Sequence, residues 1–294
     1  MAICRAAVSG AAPRYLESNV IAPFRTIGVG EKSSLKASFW RSTIEETTQA
    51  GDLDFISIAM NLGGGRVWRN NERTPTEVGA VAMQPFEGAK WRFEPPVSFV
   101  HLYLPFELVA SVCEGLFDRD LAPVELHMPS AVRDKGLCKV VGRIQHSLSS
   151  SLATELILDS WSLILSELML RGFSSHAHGR SHPSFGNIPA RSFAHVVDWI
   201  EAGIGEDLRL ASLASVAGMS VYHFARRFKN TVGMSPHAYV LSRRLARAEQ
   251  LLRRRGSNLA DVAAACGFSS QAHFTTAFRN AFGATPNAYR RSCS

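Results

Sequence analysis

The chain has 294 residues, 46% of them hydrophobic and 19% charged, with a formal net charge of +7 at pH 7. That length suits two domains with a core each, and the composition excludes a disordered, collagen-like or disulfide-stapled protein. No run of 18 apolar residues occurs, the first residues lack a signal peptide's apolar core, and the five cysteines never form a C-x-x-C, so the chain reads as reduced, cytoplasmic and off the membrane.

Residues of about 20–130 read as strand-rich. Phe55-Ile-Ser-Ile-Ala-Met, Gly65-Arg-Val-Trp-Arg, Val78-Gly-Ala-Val-Ala-Met, Trp91-Arg-Phe-Glu and Val97-Ser-Phe-Val-His-Leu-Tyr-Leu are short and partly alternating. Gly- and Asn-rich turns such as Gly63-Gly-Gly and Asn70-Asn-Glu-Arg separate them, a pattern that favours a small sandwich or barrel. From Ala131 the rhythm turns helical. Leu137, Val140, Val141, Ile144 and Leu148 form one stripe; Leu152, Leu156, Trp161, Ile164, Leu165 and Leu168 form another. These two helices suit packing within the monomer or pairing with a second subunit. A polar stretch rich in Gly, Ser and Pro follows from Gly172 and reads as a linker. Phe193, Val196, Val197, Ile200 and Ile204 then start a new helical domain.

That last domain contains a repeat. Phe224, Phe228, Gly233, Pro236 and Tyr239 recur as Phe274, Phe278, Gly283, Pro286 and Tyr289, always 50 residues on. A fixed offset marks one supersecondary unit used twice. In the first copy Leu213, Val216 and Ala217 make a short apolar stripe, Gly218 stops the helix, and Ser220 is placed to cap the next. Phe224 and Phe228, four apart, share that helix's buried face. Two short helices about a Gly turn describe a helix-turn-helix, whose second helix enters the DNA major groove. In the second copy Asn258 and Asp261 frame the first helix, Gly267 turns the chain, and Ser269 or Ser270 caps the second helix, with Ser270 one residue extra. Between the copies, Ser235-Pro236 opens a helix whose Leu241, Leu245, Ala248 and Leu252 keep a helical rhythm, and Arg253, Arg254, Arg255 and Gly256 close it. About 20 residues of helix span about 30 Å, close to the roughly 34 Å of one DNA turn. Such a strut would set two recognition helices in adjacent major grooves.

The charge agrees. Residues 191–294 hold 14 Arg or Lys against 6 Asp or Glu, and the remainder holds 18 against 19, so the whole excess lies with the repeat. A basic domain beside a neutral one implies a polyanionic partner.

Residues 192–292 resemble the AraC/XylS-type DNA-binding domain of bacterial transcription regulators. The resemblance rests on A-x-x-A-G-M-S-x-x-H-F-x-R-x-F-K and G-M-S-P-x-x-Y in the first half and R-L-A-R-A-E-x-L-L in the strut. V-A-x-A-C-G-F-S, H-F-x-x-x-F-R and G-A-T-P-x-A-Y-R carry it in the second half. It implies double-stranded DNA and RNA polymerase as partners, a small-molecule effector, a homodimer, and an N-terminal cupin-like barrel. The barrel match is weaker, resting on Q-P-F-E-G-A-x-W-R-F and V-H-L-Y-L-P. The expected fold is therefore α+β. Residues 1–171 form the β-rich sensing domain, with the barrel at about 20–130 and helices at about 131–171. Residues 172–191 are linker, and 192–294 an all-α domain with helix-turn-helix units at about 211–230 and 259–280.

With Phe224 and Phe228 inward, the opposite face presents Tyr222, Ala225, Arg226 and Lys229 behind Ser220. Arg226 suits the O6/N7 edge of guanine, Tyr222 the groove wall or a thymine methyl, and Lys229 a phosphate. The second copy presents Gln271, Ala272, Thr275, Thr276 and Arg279 behind Ser270, with Gln271 suited to adenine. The family contacts bases at the place of Arg226 in both helices. Here the second copy has Thr276, so the first helix should dominate sequence reading. Phe224, Phe228, Phe274, Phe278, Tyr239, Tyr289 and Cys266 read as core. His176, His178 and His182 have a spacing a metal could use, yet they lie in the linker without a Cys or carboxylate partner. His101 and His127 lack the H-x-H, Glu and later His of a cupin metal site. No metal and no cofactor is expected. No G-x-S-x-G, P-loop or G-x-G-x-x-G is present, which leaves an enzyme without residues. The rival readings are an architectural nucleic-acid binder indifferent to sequence, and an enzyme with accessory DNA binding.

Overall fold

A computed structural model of the chain describes residues 25–27, 35–42, 45–49, 55–70, 72–84, 88–117, 124–149, 155–175, 186–253 and 258–292. They form two compact units, one from Met1–His146 with Trp161–Pro183 and one from Ser147–Ser160 with Ser184–Ser294.

The first unit holds strands β1 (Arg25–Ile27), β2 (Lys36–Ser42), β3 (Glu46–Gln49), β4 (Phe55–Gly64), β5 (Val67–Arg69), β6 (Val81–Met83), β7 (Ala89–Phe93) and β8 (Val97–Pro105). Helix α1 (Phe106–Leu116) follows β8 directly, then come α2 (Lys135–Ser149) and α3 (Glu155–Phe173), of which the stretch Ser147–Ser160, with Asp159, belongs to the second unit. The strands make one five-stranded sheet, ordered β1-β2-β8-β4-β6, and one three-stranded sheet, ordered β3-β7-β5, with antiparallel neighbours throughout. Among the described residues the two sheets stay separate and no closed, hydrogen-bonded barrel forms. The chain changes sheet after β4, at Gly64. Its φ of +92° suits glycine, and a Cβ there would stand 1.9 Å from the Pro96 carbonyl oxygen.

The two faces of the larger sheet differ in chemistry. Strand residues alternate faces, and the register Ala37↔Leu102↔Ile58↔Met83 runs across four strands. That face also holds Phe39, Val100, Met60 and Val81, all buried and apolar. The other face follows Ser38↔His101↔Ala59↔Ala82, with Trp40, Phe99, Tyr103 and Ser57 beside it. It meets the smaller sheet, where Phe93 stacks on Phe99 at 5.8 Å and the Trp91 indole donates to Gln84 Oε1 at 3.0 Å. In α2 the predicted stripe Leu137, Val140, Val141, Ile144 and Leu148 is buried. In α3 Ile164 is instead 41% exposed, while Leu158, Leu163, Met169 and Leu170 join Leu156 and Leu165 inside.

The second unit is helical: α4 (Ala190–Ala202), α5 (Leu210–Val216), α6 (Val221–Val232), α7 (Pro236–Leu252), α8 (Leu259–Ala265), α9 (Gln271–Phe282) and α10 (Pro286–Ser292). The caps read from sequence are made. Ser235 Oγ accepts the Ala238 amide with Pro236 at the first helical position, and Thr285 Oγ1 accepts the Ala288 amide at 3.3 Å. Asn258 caps α8 by accepting the Ala260 amide at 3.1 Å. α5 has no side-chain cap of its own at Arg209; the Asp159 carboxylate accepts the Leu210 amide at 3.0 Å and serves instead. The closing residues 254–256 of the strut lie outside the described residues.

Candidate nucleic-acid interface

Helices α5 and α6 are separated by Ala217, Gly218, Met219 and Ser220, and α8 and α9 by one residue more, Cys266–Ser270. Gly218 and Gly267 both take the left-handed conformation that ends the first helix of each pair, at φ +67° and +72°. Ser220 then caps α6 by accepting the His223 amide, and Ser270 caps α9 by accepting the His273 amide at 3.1 Å. Both second helices end on a left-handed glycine, Gly233 and Gly283.

The inner faces hold each pair together. Phe224 and Phe228 are fully buried with ring centroids 5.4 Å apart, and Phe193 of α4 and Tyr239 of α7 close on Phe228 at 5.8 and 5.5 Å. Phe274 and Phe278 repeat this at 5.5 Å. In the second copy Phe282 of α9 itself stacks on Phe278 at 4.3 Å, and Tyr289 of α10 lies at 5.4 Å. Two complete helix-turn-helix units therefore flank α7.

A family model described as a helix-turn-helix domain matches residues 213–292. The chain is 41% identical over 75 residues to the probable transcriptional regulator LumQ of Photobacterium leiognathi, covering 26% of this chain and 30% of that protein. It is 38% identical over 94 residues to the right origin-binding protein of Escherichia coli (strain K12), covering 32% of each. A crystal structure of a transcriptional regulator with an AraC-type DNA-binding domain from Chromobacterium violaceum is 36% identical, covering 35% of this chain and 93% of that chain, with a TM-score of 0.34. The chain carries an AraC/XylS-type helix-turn-helix domain. It spans about a third of the length of the curated relatives it matches, and those relatives are named as regulators or DNA-binding proteins rather than enzymes.

On the outer faces of the AraC/XylS-type domain the two copies differ. Lys229 is exposed, Ala225 half-buried, and Arg226 half-buried with its guanidinium 5.7 Å from the centre of the Tyr222 ring. Burial pulls the Arg226 guanidinium down from its ordinary pKa. Tyr222 corrects the sequence expectation: it is 1% exposed, a core residue rather than a groove-wall contact. A first-turn side chain leans toward the helix N-terminus, here over the α5–α6 turn, and Arg226 one turn later covers its ring. In α9, Gln271, Ala272, Thr276 and Arg279 are exposed. Thr275 is half-buried and its hydroxyl donates to the Gln271 carbonyl at 2.8 Å, so it is engaged within its own helix. The Tyr–Arg platform of α6 is thus replaced in α9 by Ala272 and Thr276.

Sequence reasoning missed His237, in the first turn of α7. Burial first, then Arg244 and His273, hold its pKa down at about 4. The sign follows from linkage: the unfolded chain protonates this imidazole below about 6.5, the folded one only near 4, so stability present above 6.5 is lost as pH falls toward 4. Burial also holds His101 at about 4 and lowers His273, so acid titration of the unfolding midpoint should show a combined loss, from which His237→Gln removes at most about 3.4 kcal/mol.

No helix among the described residues is long and apolar enough to cross a membrane. Among those residues no group of three or more His, Cys, Asp or Glu is placed to hold a metal ion. His176, His178 and His182 lie outside them.

Proposed function

We propose that this protein is a cytoplasmic, sequence-specific DNA-binding transcription regulator that sets α6 and α9 into adjacent major grooves. The observation that carries the reading is the pair of complete helix-turn-helix units at the two ends of one continuous helix. α7 has 17 residues, about 26 Å of rise, comparable with one DNA turn of about 34 Å. Ser220, Ala225, Arg226 and Lys229 on the first unit, and Ser270, Gln271, Ala272, Thr275, Thr276 and Arg279 on the second, are the DNA-facing set, with Tyr222 as support beneath Arg226. The division into 1–171, 172–191 and 192–294 is part of this reading, as are the cupin-like nature of the first domain, a homodimer and contact with RNA polymerase.

Control by a small-molecule effector draws support from the face between the two sheets. Ser57 Oγ and Gln84 Nε2 are buried there without hydrogen-bond partners, as is Trp40 Nε1. Ser38, His101, Ala59 and Ala82 follow one another across the same face. Buried polar atoms normally find partners, and three orphaned donors on one buried face suit a ligand that accepts hydrogen bonds.

Selection of purified full-length protein against a randomised duplex library, at low and moderate salt, tests the main reading. Enrichment of two half-sites about 10 base pairs apart is the expected result. Tight binding that salt abolishes and no sequence improves would overturn it in favour of an architectural role.

A further inference from the structure

Arg244 is the middle residue of α7 and is only 8% exposed. Its Nε donates to the Ile204 carbonyl at 3.0 Å and its Nη2 to the Glu206 carbonyl at 2.6 Å. Both carbonyls lie in the segment between α4 and α5, which belongs to the first helix-turn-helix unit. The planar guanidinium suits this place because its fixed fork satisfies several carbonyls at once, where an ammonium would satisfy them as a point charge.

The second unit closes on the same group. A Cβ added to Gly267, in the α8–α9 turn, would lie 2.7 Å from Arg244 Nη2, 2.8 Å from its Cζ and 2.8 Å from the Ile204 carbonyl oxygen. Gly218, which makes the same turn with the same sign of φ in the first copy, has nothing within 4 Å of such a Cβ. The conformation explains a glycine in both turns; the close approach belongs to the second alone. Gly205 makes the reciprocal contact, since a Cβ there would lie 2.9 Å from the Ala265 carbonyl oxygen at the end of α8. Three backbone segments therefore meet at one buried cation: the α4–α5 segment, the centre of α7 and the second turn.

We infer that Arg244 is a positioning residue for DNA reading, tying the Ile204–Glu206 segment of the first unit to the Gly267 turn of the second and so fixing the spacing and angle between α6 and α9. This rests on the two-groove reading above. Each unit packs on its own part of α7; a tie at mid-helix adds a direct link between them and narrows the angles they can take. Two tethered reading heads gain from each other only when both engage without strain.

The test uses the full chain with nitroxide-bearing non-canonical residues at Asn230 and Asn280, exposed positions 50 apart on α6 and α9, which leaves the five cysteines unlabelled. Pulsed electron paramagnetic resonance should give a narrow distance distribution for the native residue and a broad one for Arg244→Met, with partial narrowing in Arg244→Lys. On the duplex selected above, Arg244→Met should bind about tenfold more weakly yet lose less than the native protein when the half-site spacing is changed by one base pair, with single half-site binding unchanged. A residue that merely stabilised the fold would lower the melting temperature and leave both the distance width and the spacing profile intact, and that result overturns the inference. Should the Met variant fail to fold, Arg244→Gln, which keeps a donor, and Arg244→Lys are read the same way. The distance measurement needs no DNA. A broadened Arg244→Met beside a library that enriches only one half-site would therefore support the tie and refute the two-groove reading.

Discussion

Replacing Phe228 with alanine should cost about 3–5 kcal/mol of unfolding free energy, the range for truncating a fully buried phenylalanine. Three rings from three helices, Phe193, Phe224 and Tyr239, surround it within 6 Å, at 5.8, 5.4 and 5.5 Å. Neither α6 nor α7 can collapse into the gap without moving its cap, at Ser220 or Ser235. Typical domains hold about 5–15 kcal/mol in total, so the change removes a large share of the margin. A chemical melt followed by circular dichroism would read it directly. Lys229→Ala, at the next residue but fully on the outer face, is the control. It should leave the midpoint within about 0.5 kcal/mol while reducing the salt slope of DNA binding by about one. If Phe228→Ala left the melt unchanged and lost only DNA affinity, the packing account of α6 would be wrong.

Arg226→Ala should relax specificity at one base pair, costing about 1–3 kcal/mol of discrimination, the worth of a bidentate contact to guanine. Arginine carries large side-chain entropy, and most exposed ones give up part of their contact energy to ordering. Arg226 is already held over the Tyr222 ring at 5.7 Å, so less ordering remains to be done on binding. Thr276, its counterpart, is short, uncharged and has Ala272 in place of the tyrosine. Thr276→Ala should therefore change discrimination less than Arg226→Ala. Competition binding with single-base variants of the selected duplex decides between them; a larger effect at Thr276 would reverse the assignment. Tyr222→Phe should behave nearly as native, because the ring rather than the hydroxyl supports the guanidinium.

The helical half could be read from its punctuation. Left-handed glycines, Ser-Pro and Thr-Pro caps and phenylalanines four apart each have one local physical meaning, and they agree with one another at a fixed offset. Tyr222 and Arg244 escaped that logic. Tyr222 sits on the outer side of the helical wheel, and only the backward lean of a first-turn side chain buries it. Arg244 falls on the buried stripe of α7, three residues after Leu241 and four before Ala248; an arginine inside an apolar rhythm was the available signal, and charge made it look solvated. In the first unit, α1 carries Val109, Val112, Cys113 and Leu116 at helical spacing, yet it follows β8 without a break and merges with that strand's apolar run. β2 went unread because both of its faces are covered: Ala37 and Phe39 on one side, Ser38 on the other, are all buried, so polar and apolar alternation carries no inside-outside meaning.

The helix α7 contributes to two cores. Its first turn supplies Tyr239, against Phe228, while Leu245, Ala248 and Leu252 are built into the cluster around Phe274 and Phe278. Neither half can lose its share of this helix without opening the other. The two copies are repeated in sequence but not separable in folding: melting either one releases the shared element, and residues 190–292 should denature as a single cooperative block. A duplication built this way cannot later shed one copy or drift to a different linker length, because the linker is itself part of both folded halves.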